Sequence, residues 1–337
     1  MRSLVVQTSF IGDVVLTTPL LRRLAEDGDV DVITTPIGAT LLTGHPAVRR
    51  VITYDKRGRD SGPFGFLSLS MDARGADRAY LAQGSTRSAA LALSAGIGTR
   101  IGFDTSDGRW LYSERVEYRD DWHHARRLLS LADVALAAEA ESLTDSAIRP
   151  SLFPAPSDIA AVDALLAHRT RPLVALAPGS AWGTKRWPGY AALAASLAPD
   201  HDIAVVGSAA DASLAAEIAA AAPGRTLDGC GNLSLLGSAE LIRRAQVLVT
   251  NDSAPQHLAS AMGTPTVAIF GPTVPTFGFG PLAPGSRTIG RTALACRPCD
   301  RHGPQRCPLG HWRCMHEITP QEVHEMTRAV IAEETVR

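Results

Sequence analysis

Short apolar runs alternate with helical patterns along most of this chain. Residues 4–7 read as a strand, and residues 14–25 place Leu16, Leu20, Leu21 and Leu24 at helical spacing. Residues 30–34, 51–54, 78–82 and 100–103 are further strand candidates, separated by helical stretches near 38–43, 85–95 and 123–138. A β-then-α rhythm predicts a parallel sheet with helices on both faces, because parallel strands need long crossover connections. Pro150, Pro154 and Pro156 then interrupt the pattern, so residues 148–157 are the best linker candidate.

The second half repeats the plan. Strands are predicted at 173–177, 203–206, 247–250 and 266–270, and helices at 158–168, 189–197, 209–222 and 235–245. Residues 271–310 are rich in Gly and Pro and read as loop. Thr319 and Pro320 then open a last helix with N-cap and first-turn chemistry. A chain of 337 residues is long for one core. The expected architecture is α/β: two Rossmann-like domains, 1–155 and 156–337, with parallel sheets facing a central cleft.

Composition narrows the function. A net charge of −1 argues against nucleic acid as a main partner. No apolar stretch reaches the roughly 18 residues that span a bilayer. The first residues run straight into a strand pattern, with no cleavage signal after a long apolar core, which predicts a mature cytoplasmic chain. Four of the five cysteines, Cys296, Cys299, Cys307 and Cys314, crowd into one short stretch. In a cytosolic setting such spacing points to a structural Zn or Fe ion, with His311 as a spare donor, or to reduced thiols in a packed loop. Either way the cluster is expected to lie away from the strand-end turns.

Those turns carry the candidate chemistry. In open α/β sheets ligands bind at the carboxyl ends of strands, and helix N-termini suit phosphate. Ser9-Phe-Ile-Gly-Asp13 follows the first strand; Asp13 there either supports its helix through the dipole or acts as a general base. Ala177-Pro-Gly-Ser-Ala-Trp-Gly-Thr-Lys-Arg-Trp-Pro188 combines two Trp with two cations. Ser180 and Thr184 can donate to phosphate oxygens and Lys185 supplies a compact charge, unless the loop is simply an edge with snorkelling cations. Asn251-Asp-Ser-Ala254 follows an apolar strand. Asp252 can hold sugar hydroxyls and the backbone at Ser253 and Ala254 can face phosphate, or the run is an ordinary helix cap. His257 lies one turn further. Asp211, after a strand ending in Gly207, could reach a ribose but reads more readily as an exposed helix start. Asp120, Asp121, His123 and His124 form a further polar cluster at a helix N-terminus, in the half expected to face an acceptor.

Three of these runs together, Ser9-Phe-Ile-Gly-Asp-Val-Val-Leu-Thr-Thr-Pro19, the loop 177–188 and Thr250-Asn-Asp-Ser-Ala-Pro-Gln-His-Leu-Ala259, resemble the bacterial ADP-heptose:lipopolysaccharide heptosyltransferases of glycosyltransferase family 9. The Gly183–Pro188 run and Cys307-Pro-Leu-Gly-His-Trp-Arg-Cys-Met315 are most like its heptosyltransferase II branch. The resemblance implies a GT-B fold, with an acceptor-binding N-terminal domain and a nucleotide-sugar-binding C-terminal domain. It implies inverting transfer of L-glycero-D-manno-heptose from ADP-heptose to lipopolysaccharide inner core, with no cofactor needed for catalysis. Asp13 then matches the base and Lys185 the lysine that neutralises the diphosphate. Ser180, Ala181, Thr184, Asp211, Asp252, Ser253, Ala254 and His257 match donor-binding positions. A lipid-linked acceptor would bring the protein peripherally to the inner face of the inner membrane. Transfer to a protein or secondary metabolite, or epimerisation of a nucleotide sugar, are the alternative activities. The chain departs from the family at Ala254, often Gly, and at Gln256, often Met.

Overall fold

The computed structural model describes residues 1–56, 58–139 and 146–336, the side chains of the last two excepted. The chain folds as two compact units, Met1–Phe153 and Pro154–Arg337. The second begins inside the proline-rich stretch. Residue 337, the last of the expected second domain, lies outside the described residues.

The first unit holds one parallel six-stranded sheet. Its strands are β1 Arg2–Gln7, β2 Asp29–Thr34, β3 Arg50–Thr53, β4 Arg78–Leu81, β5 Thr99–Phe103 and β6 Glu114–Val116, in the order β3-β2-β1-β4-β5-β6. Val5 of β1 stands opposite Val32 on one side and Tyr80 on the other. Leu4, Val5 and Val6 are fully buried. An unbroken apolar run of this kind is what a central parallel strand, covered by helices on both faces, requires. The strand order reverses at β1, so the turns after β1 and β4 flank the switch point where such sheets open a crevice. Thr8, after β1, donates its hydroxyl to Gln83, after β4, at 3.1 Å.

The second unit repeats the topology. Its strands are β7 Leu173–Ala177, β8 Asp202–Val205, β9 Thr226–Asp228, β10 Val247–Asn251, β11 Thr266–Phe270 and β12 Arg287–Gly290, in the order β12-β11-β10-β7-β8-β9. Here β7 takes the place of β1, with β8 on one side and β10 on the other. The switch point falls between β7 and β10, where Leu248 pairs with Ala175. Every residue of β7, β10 and β11 is buried. After β10 the helix Ala254–Met262 ends on Gly263, whose φ of 77° closes the left-handed cap, and Pro265 stops any continuation.

Both sheets are as expected, but the edges differ from the sequence reading. β6, β9 and β12 were not anticipated. They are strands of three or four residues at sheet edges, with mixed exposure and no alternation to betray them. β12 lies inside the stretch 271–310 expected to be loop. Residues 63–72, without a predicted element, form the helix Pro63–Asp72. The single helix expected at 123–138 is two, His124–Ser130 and Val134–Glu139. The break is chemical: Asp133 accepts the Leu136 N–H at 2.9 Å and starts a new helix. The last helix, Pro320–Val336, opens as predicted, with Thr319 and Glu322 exchanging side-chain-to-backbone bonds.

Candidate active site

In the second unit the loops after β7 and β10 are joined by one side chain, Asn251. Its amide donates to the Pro178 carbonyl at 2.8 Å, while its oxygen accepts the Trp187 N–H at 3.1 Å and the Tyr190 hydroxyl at 3.2 Å. The residue is fully buried, so each bond forms out of water, where an unmade one is costly. Asn251 thereby fixes both ends of the 178–187 loop against the last residue of β10. Its position in the turn was evident from the sequence; this role was not.

Asp252 is the next residue and the centre of the site. Oδ2 receives the Lys185 ammonium at 2.6 Å and the Thr273 hydroxyl at 2.6 Å, and Oδ1 receives the Gln256 amide at 2.9 Å. Both charged side chains are about nine-tenths buried. Asp252 is therefore held by three donors, and of its roughly four acceptor positions about one is left for a sugar hydroxyl. Lys185 is held as one half of a buried pair, with two of its three protons left for a ligand. Thr273 carries no motif of its own and acts only on Asp252, and Gln256, noted in the sequence as a departure from the family, gains this role as a donor to Asp252.

The rest of the β7 loop is tied down. Thr184 gives its hydroxyl and its N–H to the Pro304 carbonyl, so that hydroxyl is committed within the protein. Ser180 Oγ accepts the Trp182 N–H, and the Ala181 carbonyl accepts the Gln305 amide. Asp211 stands at a helix start, half-buried, and also lies against the β7 loop. Its Oδ2 takes the backbone and hydroxyl of Ser208, and it stands so close to Gly179 that a Cβ there would come within 2.4 Å of Oδ1. Glycine at 179 is thus what lets this carboxylate reach the loop.

Ser253 caps the helix Ala254–Met262 with extended backbone and no side-chain cap bond. Pro255 has no N–H and the Gln256 N–H goes to the Ser253 carbonyl, so of the first three residues of that helix it is Ala254 whose N–H an anion would use. His257 is buried, and burial pushes its imidazole down to about 4, so it is neutral at pH 7. Its Nδ1 has no hydrogen-bond partner among the described residues, and its ring meets Phe279 edge-on with centroids 6.4 Å apart.

In the first unit Asp13 lies in the first turn of the helix Ile11–Ala25. Oδ2 accepts the Phe10 N–H at 3.3 Å, and Oδ1 lies 3.5 Å from His124 Nε2. Burial pushes the carboxyl up to about 6, against the downward pull of the Phe10 N–H. That places it close to the working range of a general base at neutral pH.

The cysteines are all free thiols. Among the described residues no group of three or more His, Cys, Asp or Glu is placed to hold a metal ion, so the Zn or Fe expectation at Cys296, Cys299, Cys307 and Cys314 finds no support. Cys299 points its thiol at the Cys296 carbonyl, and Cys314 is buried in the core, which pushes its thiol up to about 11. The segment is not remote either. Pro304 and Gln305, between Cys299 and Cys307, bond directly to Ala181, Gly183 and Thr184. The Cys-rich loop buttresses the β7 loop.

Comparison with known proteins adds the following. Residues 67–310 match the family model described as glycosyltransferase family 9 (heptosyltransferase). The chain is 29% identical to the lipopolysaccharide heptosyltransferase 2 of Salmonella typhimurium, with all of both chains covered. It is 28% identical to the enzyme of the same name from Escherichia coli, covering 99% of each. The solved structure of E. coli ADP-heptose lps heptosyltransferase II superimposes with a TM-score of 0.80 at 28% identity, over 99% of this chain and 100% of that one. A glycosyltransferase family 9 structure from Veillonella parvula reaches 0.85 at 19% identity, covering 98% and 97%, a likeness of fold.

Proposed function

The chain belongs to glycosyltransferase family 9, the heptosyltransferases, and from that premise we propose that it moves L-glycero-D-manno-heptose from ADP-heptose to a hydroxyl of the lipopolysaccharide inner core, with inversion at the anomeric carbon. The observation that carries this reading is the Lys185–Asp252 pair. It sits at the β7/β10 switch point, next to the helix that starts after Ser253, in a chain that aligns end to end with curated heptosyltransferases.

In this scheme the unit Pro154–Arg337 takes the donor. Lys185, with two protons free of Asp252, and the Ala254 N–H at the positive end of the helix Ala254–Met262 receive the diphosphate. Ser180, Ala181 and Thr184 shape the loop around it, and Asp211 reaches the ribose. His257 is a neutral hydrogen-bonding group in the same pocket. The unit Met1–Phe153 takes the acceptor and contributes Asp13. The acceptor O–H bond breaks, its proton goes to the Asp13 carboxylate, and the freed electron pair bonds the anomeric carbon. The bond from that carbon to the diphosphate breaks on the opposite face, and its electron pair leaves with ADP. Charge grows on the departing diphosphate, where a fixed ammonium in a water-poor site is most effective.

Among the described residues no helix is long and apolar enough to cross a membrane. A lipid-linked acceptor would bring the protein to the inner face of the inner membrane as a peripheral visitor. The test is incubation with ADP-heptose and a panel of inner-core acceptors, read by mass spectrometry. A heptosylated acceptor supports the reading; free epimerised nucleotide sugar, or transfer to none of the acceptors, opposes it.

A further inference from the structure

We propose that His124 is the positioning residue for Asp13, holding the base in its reactive orientation through the contact between Nε2 and Oδ1. The inference rests on the reading of Asp13 as the base and adds a residue to it. The geometry is local to the first unit. His124 opens the helix His124–Ser130, which packs against Ile11–Ala25, and its Nε2 lies 3.5 Å from Asp13 Oδ1. Both side chains are more than four-fifths buried. Catalytic hydrogen bonds are commonly long without substrate and tighten when it binds.

The neighbouring histidine is turned elsewhere. His123 Nδ1 accepts the Ala125 N–H at 3.2 Å and caps the helix, which leaves His124 to face Asp13. The carboxylate is otherwise fixed by its own helix. Oδ2 accepts the Phe10 N–H, and the Asp13 carbonyl accepts the Thr17 hydroxyl, which in turn takes the Gln7 amide. Two anchors on two oxygens set the carboxylate plane, and each oxygen keeps a lone pair for an incoming hydroxyl.

The other charged groups on the elements packed here are engaged with different partners. Lys56 donates to the Thr8 carbonyl at 2.9 Å. Arg126 reaches the Ala137 and Ala138 carbonyls, and Arg127 reaches those of Arg119 and Asp120. Asp121 is paired with Arg119, and Arg22 and Arg23, at the far end of Ile11–Ala25, bond to Ser146 and Asp133. His124 exchanges no proton in the transfer step. It keeps Nε2–H directed at Oδ1 while the acceptor proton moves to the carboxylate, and it favours the ionised form of Asp13 beforehand.

The experiment compares His124→Ala, His124→Asn and His124→Gln with Asp13→Asn in the full-length protein, using heptosyl transfer across pH 5–9. A Gln amide reaches the position of Nε2; an Asn amide reaches only that of Nδ1. The proposal predicts that Ala and Asn lower kcat about tenfold or more with the KM for ADP-heptose unchanged. They also move the acid limb of kcat/KM upward by about one pH unit, and Gln restores most of both. Wild-type kcat and acid limb in the Ala and Asn variants would overturn it. A loss that Gln does not rescue and that leaves the limb in place would reduce His124 to a packing residue and overturn it too. Asp13→Asn separates the two readings. If it is inactive while the His124 variants behave as wild type, only this inference fails; if it is active, the base assignment fails and this inference with it.

Discussion

At the scale of single residues, two carboxylates of the same chemistry are set to opposite tasks. Asp252 receives three donors and neutralises a buried lysine, whereas Asp13 has one backbone N–H and an imidazole and is raised to about 6. A base with that value is active when ionised, so turnover falls as pH drops through 6, and kcat/KM should show an acid limb there. The stability sign is the reverse. A carboxyl whose folded value lies above its ordinary 3.8 favours the fold when protonated and opposes it when ionised. Asp13→Asn should therefore abolish transfer yet raise the melting temperature at pH 7.5, by at most about 3 kcal/mol of stability, with the gain fading below pH 4. Calorimetry at the two pH values checks this. Lys185→Ala leaves Asp252 buried with only neutral donors, so it should cost about 3–5 kcal/mol and weaken ADP binding. A calorimetric titration finding wild-type affinity for ADP would remove Lys185 from the phosphate site.

At the scale of elements, the site depends on how two strand ends are clamped together. Asn251→Ala removes every bond between the β10 end and the loop after β7 that this side chain makes, and should lower stability by roughly 2–4 kcal/mol in urea unfolding. Gly179→Ala drives a methyl into Asp211 and should weaken ADP affinity more than it lowers the melting temperature. The central strands were legible because a parallel strand buried on both faces needs an unbroken apolar run, as residues 4–6 of β1, Leu173–Ala177 of β7 and residues 247–249 of β10 are. The edge strands β6, β9 and β12 obey no such demand and left no trace. The same contrast governs the site. Asp13, Lys185 and Asp252 stand in motifs at strand ends, so their neighbourhood could be read. Thr273 comes to Asp252 across 21 residues and Pro304 to Thr184 across 120, which no local spacing encodes, whereas Gln256 stands only four residues on, at helical spacing. The thiol cluster is a related case: close spacing in sequence suggested one coordination sphere, whereas among the described residues no group of three or more ligands is placed to hold an ion, and the intervening residues serve as a buttress.

At the scale of the whole molecule, the chain uses one topology twice and gives each copy a different switch-point chemistry: an acidic side chain with a raised pKa in the first unit, a buried cation beside a helix N-terminus in the second. Hydrogen exchange should report that division. ADP alone should protect amides in the 179–185 loop, the first turn after Ser253 and the buttress at 303–305. The most direct test of the account is heptosyl transfer from ADP-heptose to an inner-core acceptor by the wild-type protein and by Asp13→Asn, with ADP affinity measured on both. The account predicts a heptosylated product of inverted anomeric configuration from the wild type, none from the variant, and equal ADP affinity. Transfer by Asp13→Asn at the wild-type rate, or retention of the donor's configuration, would contradict it.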